Sequence, residues 1–239
     1  MKKTLMILAL AALPALADTD LPKDVVLTLP GSGLLTHGDF MGGSNGNVAG
    51  VISKVKGWDT NAAYAGNNGG KGGDWVDTPG TEGYWNGTTG TITLAGRNGT
   101  QGESFALVLN NGIEVGDIVS SVSFSGTVDA DTDINGKNFV FSVAIYNGTE
   151  AYATATPVTV AGSSAEAKNF SVTLSDFDGF TWTENSKIIA VMAGPAFTPA
   201  GNIYSVSGMG VKASIVPEPA TATLSLLALA GLAARRKRH

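Results

Sequence analysis

Three carboxylates stand at alternate positions in Asp129-Ala130-Asp131-Thr132-Asp133-Ile134-Asn135-Gly136. A hard cation takes several oxygens from one short stretch, so Asp129, Asp131 and Asp133 are candidate ligands for calcium. The stretch is not an EF-hand: its sixth position is Ile134 where that loop needs glycine, and its twelfth is Val140 where it needs glutamate. An alternating strand would equally set all three acids on one solvated side. Asp176-Phe177-Asp178-Gly179 is a second acidic turn of the same kind. A different chemistry is suggested between Gly57 and Gly90, where Trp58, Trp75, Tyr84 and Trp85 lie among asparagines, glycines and aspartates. Flat aromatic faces stack on the apolar faces of sugar rings while Asn and Asp side chains take the hydroxyls, so these four are candidate glycan-binding residues. The competing role for them is as plugs beneath a glycine-rich loop.

Catalytic sets are harder to assemble. His37 is the only histidine of residues 18–216, and one histidine makes neither a multi-histidine zinc site nor, by itself, a triad. The chain has no cysteine, which removes disulfides, thiolate metal sites and cysteine nucleophiles together. Nothing in the spacing of the acids marks a pair flanking a glycosidic bond. The expectation is a non-enzymatic protein for which calcium is the one candidate cofactor.

These residues must be carried on strands. Segments such as Thr91–Leu94, Ser104–Leu109, Val119–Val128, Phe139–Tyr146, Thr154–Val160, Phe170–Leu174, Ile188–Met192 and Tyr204–Val216 are rich in Val, Ile, Thr and Phe. In the second half of the third segment Val122, Phe124 and Val128 fall on one face and hydroxyls on the other, which predicts one face toward a core and one toward water. Asn-Gly pairs punctuate the runs, and such pairs suit tight hairpins. Asn135-Gly136 and Asn147-Gly148 are expected to close two of them. No long amphipathic helix is evident in residues 18–216. The pattern predicts an all-β, two-sheet antiparallel β-sandwich of jelly-roll type, with residues 57–90 as an ordered glycine- and asparagine-rich rim loop.

The two ends read differently. Lys2 and Lys3 precede an apolar run from Leu5 to Leu13 and then Pro14-Ala15-Leu16-Ala17. That order is what signal peptidase needs, so residues 1–17 are expected to be a signal peptide and the mature chain to begin at Asp18. Removing both ends takes away six of the 15 basic residues and one of the 20 acidic ones, moving the net charge from −5 to −10 for residues 18–216. Such a body repels phosphate backbones, which argues against nucleic acid as a partner.

At the far end Pro217-Glu218-Pro219 is followed by the apolar stretch 220–234 and by Arg235, Arg236, Lys237 and Arg238. Two prolines around a glutamate break both helix and strand. Fifteen residues of helix span about 22 Å, short of a hydrocarbon core of about 30 Å, so the arginines would snorkel or the bilayer thin locally. The basic cluster holds the cytoplasmic side.

These three parts in this order resemble the PEP-CTERM sorting signal of Gram-negative bacteria. The resemblance covers residues 217–239 alone and implies cleavage at or near Pro217-Glu218-Pro219 by a membrane-embedded exosortase. It also implies a transient inner-membrane tether, then delivery to the outer surface or the extracellular matrix, often of biofilms. The reading is therefore a signal peptide, one sandwich domain over 18–216, and a sorting tag. A structural role at the cell surface is its main functional expectation, and a polysaccharide-binding jelly roll, stabilised by calcium, is the alternative. The intact mass of the protein from its native host is expected to correspond to a chain starting at Asp18 and ending near Pro217–Pro219. A mass retaining Arg235–Arg238 would overturn the processing.

Overall fold

A computed structural model describes residues 22–37, 47–66, 84–95, 104–130, 136–195 and 203–216. The proposed signal peptide, the sorting tag, Trp75, Asp131 and Asp133 lie outside the described residues. Within them the chain forms β1 (Lys23–Val26), β2 (Gly33–Leu34), β3 (Thr36–His37), α1 (Val48–Ile52), β4 (Ala62–Gly66), β5 (Tyr84–Asn86), β6 (Thr91–Ala95) and β7 (Ser104–Leu109). It continues through β8 (Ile118–Ala130), β9 (Asn138–Tyr146), β10 (Ala151–Thr154), β11 (Val158–Ala161), β12 (Lys168–Leu174), β13 (Phe180–Thr181), β14 (Lys187–Ala193) and β15 (Ile203–Val216).

The strands make two facing sheets. Sheet A runs β12-β8-β15-β6-β5-β2, with β1 also on β15 and β13 also on β8. Sheet B runs β10-β9-β14-β7-β4-β3, with β11 also on β9. Pairing is antiparallel except between β3 and β4. From β6 onward the chain changes sheet at each of β7, β8 and β9, stays in sheet B for β10 and β11, and then places β12 in A, β14 in B and β15 in A. This gives the neighbours β6-β15-β8-β12 facing β7-β14-β9-β10, which is the expected jelly-roll order.

The core lies between the sheets. Val122, Phe124 and Val128 of β8 point into it together with Phe170, Val172 and Leu174 of β12, as their alternation predicts. From sheet B, Phe141 lies flat on Phe170, with ring centroids 3.7 Å apart and planes 7° from parallel. Phe124 meets both rings edge-on. Phe170 sits opposite Gly126, where an added Cβ would come within 2.8 Å of the ring. The missing side chain makes the space that the phenylalanine fills. Among the described residues every buried apolar residue lies between Leu27 and Ile215.

Three expectations are corrected, and a fourth, the Asn147-Gly148 hairpin, is met with a longer turn. β8 and β9 belong to different sheets, so Asn135-Gly136 closes no hairpin between them; Asn135 lies outside the described residues, and Gly136 and Lys137 are bonded to Gly162 ahead of β9. Asn147-Gly148 does join paired strands, β9 and β10, but through a four-residue turn held by the Asn147 side chain, which accepts from Thr149 and Glu150 N–H. Thr154–Val160 is two short strands, because Ala155–Pro157 intervene and Pro157 has no N–H for the ladder. Residues 57–90 are not one rim loop, since β4 is drawn into sheet B and β5 into sheet A.

The outer face of sheet B is also dry. Val48, Val51 and Ile52 of α1 and Val55 pack on Tyr64, Val108, Tyr146, Ile189 and Val191. β7 is consequently buried along its whole length, as is β14 from Ile188 onward. α1 has only five residues, too few to show a period, and Asn47 caps it by accepting from Gly50 N–H at 3.0 Å. Among the described residues no helix is long and apolar enough to cross a membrane.

Replacing Phe141 by alanine removes the ring shared by both sheets and leaves a cavity between them. The expected loss is about 3–5 kcal/mol of stability, measured by urea unfolding. A change below about 1 kcal/mol would mean that the aromatic cluster does not hold the sheets together.

Candidate functional site

The site that emerges is a groove at the open side of the sandwich, between the edge strand β10 of sheet B and the end of β12 in sheet A. It begins with a fault in a ladder. Ala151 pairs with Tyr146 and Ala153 with Ile145, so the register slips at Tyr152. A bulge of this kind re-aims the side chain of the extra residue. Tyr152 is 46% exposed, an unusual position for a large aromatic side chain in this protein.

Its ring is nonetheless held from several directions. The hydroxyl donates to the Gly179 carbonyl at 3.0 Å. Phe180 lies against the ring at a centroid distance of 4.8 Å, and Phe177 meets it edge-on at 6.3 Å. Thr154 and Thr156 continue the β10 wall, and Asp176, Phe177 and Asp178 form part of the opposite one. The groove encloses about 540 Å³, within the range of small-ligand sites. It thus combines an immobilised aromatic ring with hydroxyls and carboxylates close by, the elements that sugar recognition uses.

The residues singled out in the sequence are dispersed. Trp85 is corrected outright: only 1% exposed, it lies between the sheets, its ring 5.6 Å from that of Phe105 and its indole N–H donated to the Pro30 carbonyl at 2.9 Å. It is a core plug and offers no face to a sugar. Tyr84 is half-buried next to it in β5. Trp58 is on the other side of the molecule, stacked on Tyr64 at 4.4 Å over the outer face of sheet B. Its segment is clipped down by two bonds: Lys187 Nζ donates to the Trp58 carbonyl at 2.6 Å, and Asp59 N–H donates to Tyr64 Oη at 2.7 Å. Burial pushes the Lys187 ammonium below its usual range, and the nearby Asp59 charge acts in the opposite direction. Trp58 and Trp85 therefore cannot share a ligand.

Of the proposed calcium ligands, Asp129 is exposed near the end of β8, opposite Ser205. Asp131 and Asp133 are outside the described residues. Among the described residues no three of His, Cys, Asp and Glu come together as a metal site. His37 places its backbone beside Ala65 in the parallel β3–β4 pair.

Sequence reasoning missed Tyr152. Its neighbours were visible as the Asn147-Gly148 turn and the acidic turn Asp176-Phe177-Asp178-Gly179, but only the pairing of the sheets brings the two turns to one groove.

No protein-family model and no curated protein sequence matches this chain. Solved structures that it resembles include the CBM22-1 xylan-binding domain of Paenibacillus barcinonensis Xyn10C, at 14% identity over 77% of this chain and 96% of that one, with a TM-score of 0.36. The Stig cyclase Fisc of Fischerella sp. TAU is 12% identical over 82% of this chain and 100% of that one, with a TM-score of 0.35. The CBM2 module of the Lactobacillus casei BL23 phage J-1 evolved Dit is 11% identical over 79% and 99%, with a TM-score of 0.32. At scores this low the ligands of those proteins say nothing about this one.

Trp85→Ala is expected to cost about 3–5 kcal/mol in urea unfolding, the range for a buried aromatic side chain. A near-neutral effect would return Trp85 to the list of surface residues.

Proposed function

We propose that this chain is a non-enzymatic surface protein, exported and then released by an exosortase, whose sandwich binds polysaccharide in the Tyr152 groove. The observation that carries the reading is the ring of Tyr152 itself, raised by a bulge, fixed by the Gly179 carbonyl and still 46% exposed. An exposed aromatic ring is easily left mobile, and holding it in advance lowers the entropy cost of stacking a sugar. Thr154 and Thr156 on one wall and Asp176 and Asp178 on the other supply partners for sugar hydroxyls.

The same geometry argues against hydrolysis. Both carboxylates come from one turn on one wall, and the facing wall offers hydroxyls, whereas a catalytic pair must flank the bond it cleaves. Export and sorting rest on residues 1–17 and 217–239, whose order of charge, apolar run and cleavage motif supports the reading.

A glycan array probed with residues 18–216, with and without calcium, is expected to select one or a few polysaccharides. Tyr152→Ala should weaken that binding about tenfold, the size of a lost aromatic stacking contact, and cost about 1–2 kcal/mol in urea unfolding through the lost bond to Gly179 and packing on Phe180, leaving the protein folded on the array. Silence across the array, or full binding by the Tyr152→Ala protein, would overturn the proposal.

A further inference from the structure

The Tyr152 groove carries charge of one sign. Asp176 and Asp178 stand exposed on the turn after β12, and none of the residues lining the groove is basic. Several carboxylates elsewhere are answered within the chain: Glu166 pairs with Lys168, Asp117 accepts from Glu114 N–H at 3.0 Å, and Asp59 lies near Lys187. The side chains of Asp176 and Asp178 make no hydrogen bond or ion pair with any described residue.

Two exposed carboxylates on a turn would by themselves be ordinary solvated charge. Here they share a groove with an aromatic ring that is held in advance. Asp178 is the chain neighbour of Gly179, whose carbonyl takes the Tyr152 hydroxyl, and Phe177, between the two acids, meets the ring edge-on. The turn that fixes the ring therefore also carries the acids. A π face and a carboxylate both attract a cation, one through the ring quadrupole and the other through net charge. The charge of −10 on residues 18–216 adds to the attraction. Calcium suits the groove poorly, because it takes about six to eight oxygens, and among the described residues no three of His, Cys, Asp and Glu come together. An organic ammonium uses the ring and the carboxylates together. The hydroxyls of Thr154, Thr156, Thr173 and Ser175 call in addition for a ligand that is itself rich in hydroxyls.

We infer that the ligand of the Tyr152 groove is an amino-sugar polymer with free, protonated amines, its rings stacking on Tyr152 and its ammonium groups paired with Asp176 and Asp178. The inference rests on the proposed polysaccharide groove and names the class of sugar within it. The same groove disfavours uronic acid polymers, whose carboxylates meet like charge, and an N-acetylated amino sugar forgoes the ion pairs because its amide is uncharged.

The exported protein, purified from cells expressing the full chain, is titrated calorimetrically with a chelator present, at about pH 5.5, where amines are protonated and carboxylates ionised. The probes are the glucosamine hexamer and the N-acetylglucosamine hexamer, which differ only in acetylation of the amines. The first should bind about tenfold more tightly, the yield of two exposed ion pairs of ordinary size. Asp176→Asn/Asp178→Asn should remove that gap and leave the urea midpoint in place, since neither carboxylate bonds to a described residue. Glu166→Gln takes away an acid just before β12, whose strand runs about 20 Å from Lys168 to Leu174 at the groove, and should keep the gap. Equal affinities for the two hexamers, a gap that survives the double variant, or a gap lost in Glu166→Gln would overturn the inference. Tyr152-dependent binding of both hexamers with equal strength would leave the polysaccharide groove standing without its preference for amines. Failure of both hexamers to bind overturns the inference too, and the array then decides whether the groove reading survives.

Discussion

The contact of Phe141 on Phe170, with Phe124 against both, joins sheet B to sheet A across the core, and the rest of the molecule depends on that meeting. A chain without cysteine cannot staple its sheets, so the two apolar layers must hold each other by burial alone. Aromatic rings suit the task because each buries a large area and reaches across the gap between sheets. Gly126 shows how closely the layers fit, since the ring of Phe170 occupies the volume that a side chain there would need.

Once the sheets are fixed face to face, their outer faces diverge. Sheet A turns Ser123, Ser125, Thr127, Ser171 and Thr173 outward, and these residues are exposed or half-buried. Sheet B is covered by α1, by Val55 and by the stacked Trp58 and Tyr64. The clip from Lys187 to the Trp58 carbonyl draws an ammonium into partly buried surroundings, and burial lowers its proton affinity. The molecule thus has one dry layer more than a bare sandwich, and its open groove lies at the edge, where neither cover extends.

The edge is also where a jelly roll has free strand ends to work with. β10 is the last strand of sheet B, and an edge strand tolerates a slipped register because only one neighbour must be satisfied. That tolerance lets Tyr152 turn outward while Ala155 resumes the bonding to Val143. Because β15 runs the length of sheet A and stops beside Ile118, the groove, the acidic turn and the departing chain are gathered at one end. Asp129 is near the other end of the same long strand β8.

Most strands were legible in the amino-acid order, because period-two alternation is a local property: a side chain two residues on returns to the same face whatever the partner strand. The absence of disulfides, the acidic body and the order of parts in the two ends were local in the same sense. The runs Ser104–Leu109 and Ile188–Met192 were legible as strands, but that both of their faces are buried, and by what, was decided by the fold. Strand order, the change of sheet between β8 and β9, the inward turn of Trp85 and the groove at Tyr152 belong to the tertiary structure alone. Each is decided by which strands become neighbours, and that choice minimises exposed apolar area over the whole chain, a sum that no window of residues contains.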